Sequence, residues 1–141
     1  MKTLLTALAL CGLLVPLTAS AEDKKEEKPA IVKEIDLKGL RIAPARGGNV
    51  MKPTTITSAE ELAKAIPDEE AQAKIKKEVD FAKQQLVFFA WGGSGQDKLG
   101  AIGDDVKMVL FVYTPGLTRD FRPHVHLFVI PKDATFKIGN K

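Results

Sequence analysis

Past residue 11 the chain has no cysteine, and Cys11 itself lies in an apolar leader. The segment after the leader can have no disulfide, no thiolate metal site and no thiol nucleophile, so its stability must come from a packed core. A dominant charge is missing too. Without Lys2 the 21 Lys and Arg become 20, against 18 Asp and Glu, a surplus of +2. A nucleic-acid binder concentrates far more positive charge than that, and none is expected as partner. Histidine is confined to His124 and His126, and no apolar stretch reaches the roughly 20 residues a membrane-spanning helix needs. There is no internal repeat.

What the chain does have begins at its N-terminus. Lys2 precedes an apolar run from Leu4 to Leu17, broken only by Thr6, Gly12 and Pro16, and Ala19-Ser20-Ala21 forms a small-x-small site. This is the pattern of a secretory signal peptide over residues 1–21, cut after Ala21. Leu10 stands where a lipidated cysteine needs a small neighbour, so no lipid anchor is expected. The expected destination is the periplasm or the extracellular medium. Residues 22–30 carry mixed charges closed by Pro29 and read as a disordered linker. Residues 31–141 then form a single domain, long enough to bury roughly two-thirds of its unfolded surface.

Within that domain, apolar and charged residues alternate from Ile31 to Ile42, which predicts a strand, with a bulge at Gly39 where the parity switches. Pro44, Gly47, Gly48 and Pro53 predict a long loop over 43–55. Ser58 and Glu61 fit a capping box, and Ala59, Leu62, Ala63 and Ile66 line one helix face before Pro67. Asp68 predicts a second cap, for a helix to about Val79 with Ala71, Ile75 and Val79 inward. Leu86 to Trp91 are six apolar residues in a row, rich in aromatics and ended by glycines, as in a strand buried on both faces. Further strands are expected at 99–102, 106–114, 124–130 and 134–138, with a turn at 103–105, a type II turn at Pro115-Gly116 and another turn near Lys132-Asp133. The short links favour antiparallel pairing. The fold class expected is α+β: a mainly antiparallel sheet, with the Leu86 and Val106 strands central, and two short helices packed on one face.

His124 and His126 are two apart on a predicted strand and so point the same way. Together they could hold a metal such as zinc, with Asp97 or Asp120 as third ligand. The competing reading is a pair of strand histidines hydrogen-bonded to their neighbours, with no cofactor at all. Gly92-Gly93-Ser94-Gly95-Gln96-Asp97-Lys98 comes directly after a buried strand, where phosphate loops often lie, but it lacks the Walker spacing, and Gln96 spoils the nucleophile elbow. Ser94, Asp120 and His124 stand in the chain order of a hydrolase triad without that elbow. The simpler reading is a tight turn whose polar residues close the sheet edge.

Arg119, Phe121 and Arg122 pair arginine forks with an aromatic side chain beside the histidines, and such residues dominate many protein interfaces. They suggest a contact surface that includes Gly92, Gly93, Ser94 and Asp97. Trp91 is expected in the core.

From Val79 onward the chain resembles the C-terminal domain family of PrcB, an accessory subunit of a bacterial extracellular protease complex, and a group of uncharacterised secreted bacterial proteins. The resemblance rests on Val79-Asp80-Phe81 before an apolar strand, on the Gly92–Gly95 loop, and on His126, Phe128, Val129 and Ile130 running into Pro131-Lys132. It implies a small β-rich domain that assists or binds another protein, with no catalytic residues to carry over. The Gln96-Asp97-Lys98 extension and the arginine-histidine segment depart from that pattern. The expectation is a non-enzymatic exported binding module. The alternative is a metal-binding protein or metal-dependent hydrolase built on the histidine pair.

Overall fold

The computed structural model describes residues 31–42 and 48–141; the expected signal peptide and linker lie outside them. The elements run β1 (Lys33–Glu34), β2 (Thr54–Ile56), α1 (Ala59–Ala65), α2 (Glu69–Glu78), β3 (Gln84–Ser94), β4 (Lys98–Asp105), β5 (Met108–Thr114), β6 (Phe121–Pro131) and β7 (Thr135–Asn140). They form three layers. One sheet has the order β1-β6-β3-β2 and is antiparallel throughout; the other has the order β4-β5-β7. No helix among the described residues is long and apolar enough to cross a membrane.

Strand parity divides the interior. On β3, Leu86 and Phe88 face the helices, while Val87, Phe89 and Trp91 face the second sheet. On β6, Leu127 and Val129 face the helices, while Phe128 and Ile130 face the second sheet. The helix side adds Leu62 from α1, Ile66 at its C-cap, and Ala71 and Ile75 from α2. The opposite side adds Leu99, Val109, Phe111 and Ala134. A fully buried Leu, Ile or Phe contributes about 1.5–3 kcal/mol, which is why the two middle strands are apolar on both faces.

Both helix starts lie where the caps predict. Ser58 Oγ accepts from Glu61 N–H at 3.2 Å and Asp68 Oδ1 from Ala71 N–H at 2.7 Å. The Glu61 carboxylate, however, reaches Thr57 N–H and Oγ1 and not the Ser58 amide expected of a full capping box. The inward face of α1 is narrower than predicted: Leu62 and Ile66 are buried, whereas Ala59 and Ala63 are exposed.

Several expectations are corrected. The N-terminal strand is two residues long. After Glu34 only Ile35 N–H reaches β6, at Leu127 O, and the chain turns through Gly39 at φ +81°, so that residue supplies a turn and no bulge. Leu37, Leu40 and Ile42 pack against the helix-side core from this irregular segment. β2 lies partly within the predicted loop. The Leu86 and Val106 strands sit in different sheets, and β7 runs parallel to β5 because the chain crosses from one sheet to the other through Lys132-Asp133. The turn predicted at 103–105 belongs to β4, and the reversal comes at Val106-Lys107. Gly116 does not take the positive φ of a type II turn; Gly39 alone does so among the described residues.

Among the described residues, β1 leaves most of the outer edge of β6 without a paired strand. Because Leu127 directs its carbonyl toward β1, alternation directs the backbone groups of Val125 and Pro123 the same way. Pro123, which has no N–H, therefore withholds nothing from the bonds to β3.

Candidate functional site: the projecting end of β3 and β6

The pairing Trp91↔His124, Gly92↔Pro123, Gly93↔Arg122 and Ser94↔Phe121 brings the glycine loop and the arginine-histidine segment to one end of the molecule. The Asp97 carboxylate anchors this end. Its Oδ2 accepts from Trp91 Nε1–H and from the Tyr113 hydroxyl, both at 3.0 Å, and its Oδ1 accepts from Gly116 N–H at 2.8 Å. Burial pushes the Asp97 carboxyl up, but those three donors and the nearby charge of His124 outweigh it and hold it below the ordinary carboxylate range. Burial and the same carboxylate raise the Tyr113 hydroxyl. Asp97, half-buried, ties β3, β5 and the loop after β5 together. Gly93 makes room for it, since a Cβ there would lie 2.0 Å from Asp97 Oδ2.

A second set of bonds fixes the outer rim. Ser94 Oγ lies 2.6 Å from Thr118 Oγ1 and accepts from Gln96 N–H and Thr118 N–H, each at 3.2 Å. Asp120 Oδ1 accepts from Gly95 N–H at 3.2 Å, and Oδ2 accepts from Arg122 Nε–H at 2.9 Å. With the Thr118 hydroxyl first, then Arg122 and Gly95, these partners draw the Asp120 carboxyl down to about 2. Phe121 lies across Gly92, where a Cβ would come within 2.1 Å of its ring. The ring is nevertheless 80% exposed, and Leu117 is 93% exposed. Arg119 and Arg122, in the same segment, are exposed.

The histidines point to one face, as their spacing predicts, and stack against Trp91, His124 at a centroid distance of 4.8 Å and His126 at 5.4 Å. Each has a ring nitrogen engaged: His124 Nε2 with Ser94 O and His126 Nδ1 with Glu34 Oε1, both at 2.7 Å. Of the residues considered as third ligand, Asp97 is held by Trp91, Tyr113 and Gly116, and Asp120 by Gly95 and Arg122. Among the described residues no group of three His, Cys, Asp or Glu side chains is disposed to hold a metal ion. Ser94, Asp120 and His124 do come together, but His124 meets the Ser94 carbonyl and Asp120 meets Arg122, so the hydrogen bonds are not those of a triad.

Three contributors escaped the sequence reading. Tyr113 carries the same inward parity as Val109 and Phe111, and Thr118 looks like an ordinary loop residue. Leu117, an isolated leucine after Pro115-Gly116, did carry a signal: a large apolar side chain in a segment with no strand or helix to bury it. Trp91 is buried, as expected. Comparison with family models, with curated proteins and with solved structures returns no match, so the functional reading rests on this geometry.

Proposed function

We propose that the chain is an exported, non-enzymatic binding module that contacts another exported protein through Leu117, Arg119, Phe121 and Arg122. One observation carries this reading: two large apolar side chains, 93% and 80% exposed, and two exposed arginines fall within the short segment 117–122, which the Asp97, Ser94 and Asp120 hydrogen bonds hold in place. Apolar and arginine side chains on a support that is already ordered lose little further freedom on binding. Gly92, Gly93 and Ser94 belong to the support, and Phe121 is the anchor. Export is supported by the leader pattern of residues 1–21. The resemblance of the segment from Val79 onward to the PrcB C-terminal domain family supports a protein as partner.

Crosslinking capture from the native exported fraction tests it, with the chain as bait and the Arg119→Ala/Arg122→Ala variant as control. A partner held by the first and lost by the second is expected. Equal capture by both overturns the proposed face.

The alternative, a metal-binding protein or metal-dependent hydrolase, draws on the shared face of His124 and His126 and on the Glu34 carboxylate beside His126. Added Zn²⁺ would then raise the melting temperature. An unchanged melting temperature, with no transition metal in the purified protein, removes that reading.

A further inference from the structure

The segment after β1 and the unpaired end of β6 enclose a groove of about 650 Å³, within the usual size range of small-ligand sites. Ile35 N–H makes the last bond to β6, at Leu127 O, and the chain then leaves the sheet. Among the described residues no strand pairs with β6 on this side beyond that point. The N–H and C=O of Val125 and the C=O of Pro123 are directed the same way as the Leu127 carbonyl, and both residues line the groove. The site therefore offers one donor and two acceptors to the main chain of a guest.

Parity fixes what surrounds these groups. A guest residue set opposite Val125 carries its side chain on the Val125 face. Val125, Leu37, Leu40 and Ile42 all pack against the helix-side core and line the groove, so that wall is aliphatic. The β1 end of the groove is acidic. Glu34 Oε1 meets His126 Nδ1 at 2.7 Å, and Asp36 Oδ1 accepts from Lys38 N–H at 2.9 Å, which leaves each carboxylate a second oxygen to offer. The Glu34 side chain is 50% exposed. Lys38 lines the groove as well, so the lining sets two carboxylates against one lysine, with His126 bonded to Glu34. Pro123 limits the other end: it has no N–H, and a guest gains a full pair of main-chain bonds only at Val125. Asp36 follows Ile35 by one peptide unit, about 3.8 Å, and takes the room opposite His126. A guest running antiparallel to β6 must therefore begin opposite Val125.

We propose that this groove captures the free N-terminus of another polypeptide whose first residue is aliphatic. The α-ammonium donates to the Val125 carbonyl and lies toward the Glu34 and Asp36 carboxylates. The first carbonyl accepts from Val125 N–H, and the first side chain meets Leu37, Leu40 and Ile42. The third residue donates its N–H to the Pro123 carbonyl. Main-chain bonds of this kind supply affinity, and the acidic end and aliphatic wall supply the preference for a charged, apolar chain start. The site uses none of Leu117, Arg119, Phe121 and Arg122, so it is independent of the proposed function.

Titration of the ¹⁵N-labelled chain with the tripeptide amide Leu-Ser-Ala, followed by NMR at about pH 7, tests it; a peptide α-ammonium is largely protonated there. The expected result is a saturable shift of the Val125 amide signal, with a Kd on the order of 0.1–1 mM. The N-acetylated tripeptide should bind at least about tenfold more weakly. So should the free tripeptide to Asp36→Lys, an exposed site, with circular dichroism confirming that the variant is folded. Arg119→Ala/Arg122→Ala should bind the free tripeptide as the unaltered chain does, which separates this groove from the proposed contact face. A Val125 signal unmoved up to about 10 mM tripeptide, equal affinity for the acetylated form, or unchanged binding by folded Asp36→Lys overturns the proposal. Loss of binding in the double arginine variant also overturns it, by placing the tripeptide on the other surface.

Discussion

The two sides of the β1-β6-β3-β2 sheet are built from the same strands but differ in chemistry. Toward the helices the interior is almost wholly aliphatic, with Phe88 its only fully committed aromatic, and it is closed by Leu37, Leu40 and Ile42. Toward the second sheet it is aromatic: Phe89 meets Phe111 edge-on at 4.8 Å and Phe128 at 5.9 Å, and Trp91 continues the row to Tyr113 and the histidines. The aromatic side ends in a polar network, because an indole N–H and a phenol hydroxyl need an acceptor where they are covered, and Asp97 provides it. The candidate contact surface thus grows out of the end of the aromatic core, where apolar packing and hydrogen bonding overlap.

That contrast can be broken at its centre first. Phe89→Ala empties the meeting point of three rings and should lower stability by about 3–5 kcal/mol, against about 2–4 kcal/mol for Ile75→Ala on the helix side. Urea denaturation of both variants measures the difference; equal losses would mean the aromatic contacts add nothing beyond their area.

Asp97→Ala comes next. It leaves Trp91, Tyr113 and Gly116 without their acceptor and should cost about 2–4 kcal/mol. A shift in Trp91 fluorescence in the folded state would accompany the loss, whereas Asp36→Ala, which removes only an exposed acceptor for Lys38 N–H, should leave the fluorescence unchanged and cost less than about 1 kcal/mol.

Acid sharpens the same difference. The Asp97 and Asp120 carboxyls are both held below the ordinary value of 3.8, so their contribution is complete above about pH 4 and is lost as pH falls through the folded values, for Asp120 about 2. Stability should therefore drop between about pH 4 and pH 2. In Asp97→Asn that drop should be smaller, and a profile unchanged by the substitution would remove Asp97 from the account.

The smallest expected effect on stability is at the contact surface itself. Arg119→Ala/Arg122→Ala breaks only an exposed pair to Asp120 and should shift stability by less than about 1 kcal/mol while abolishing capture of the partner. A large loss of stability would show that these arginines hold the fold.

Much of this arrangement is legible in the residues. Leu86–Trp91 declares a strand covered on both faces, Ser58 and Asp68 mark their helices, and Phe136 and Ile138 keep their predicted face. A strand apolar on both faces does not say what covers each one, so the division into two sheets was not readable. Nor was the parallel pairing of β7, since the Lys132-Asp133 link looks like any hairpin turn. Alternation over 31–42 suggested a long strand, but its apolar residues pack from an irregular segment, which local pattern cannot distinguish. At the candidate site the residue types at 119–122 were visible. The hydrogen bonds that engage Asp97 were not, because they come from donors 6, 16 and 19 positions away in sequence.

Among the described residues, no strand pairs with the edge of β6 past the end of β1, and an unpaired row of backbone groups invites any extended chain to polymerise onto it. Pro123 sits on that row with its ring where an incoming carbonyl would have to approach. A single imino acid thus acts as a chain terminator for aggregation, stationed two residues from Phe121 and Val125, on the strand that carries both the core and the contact surface.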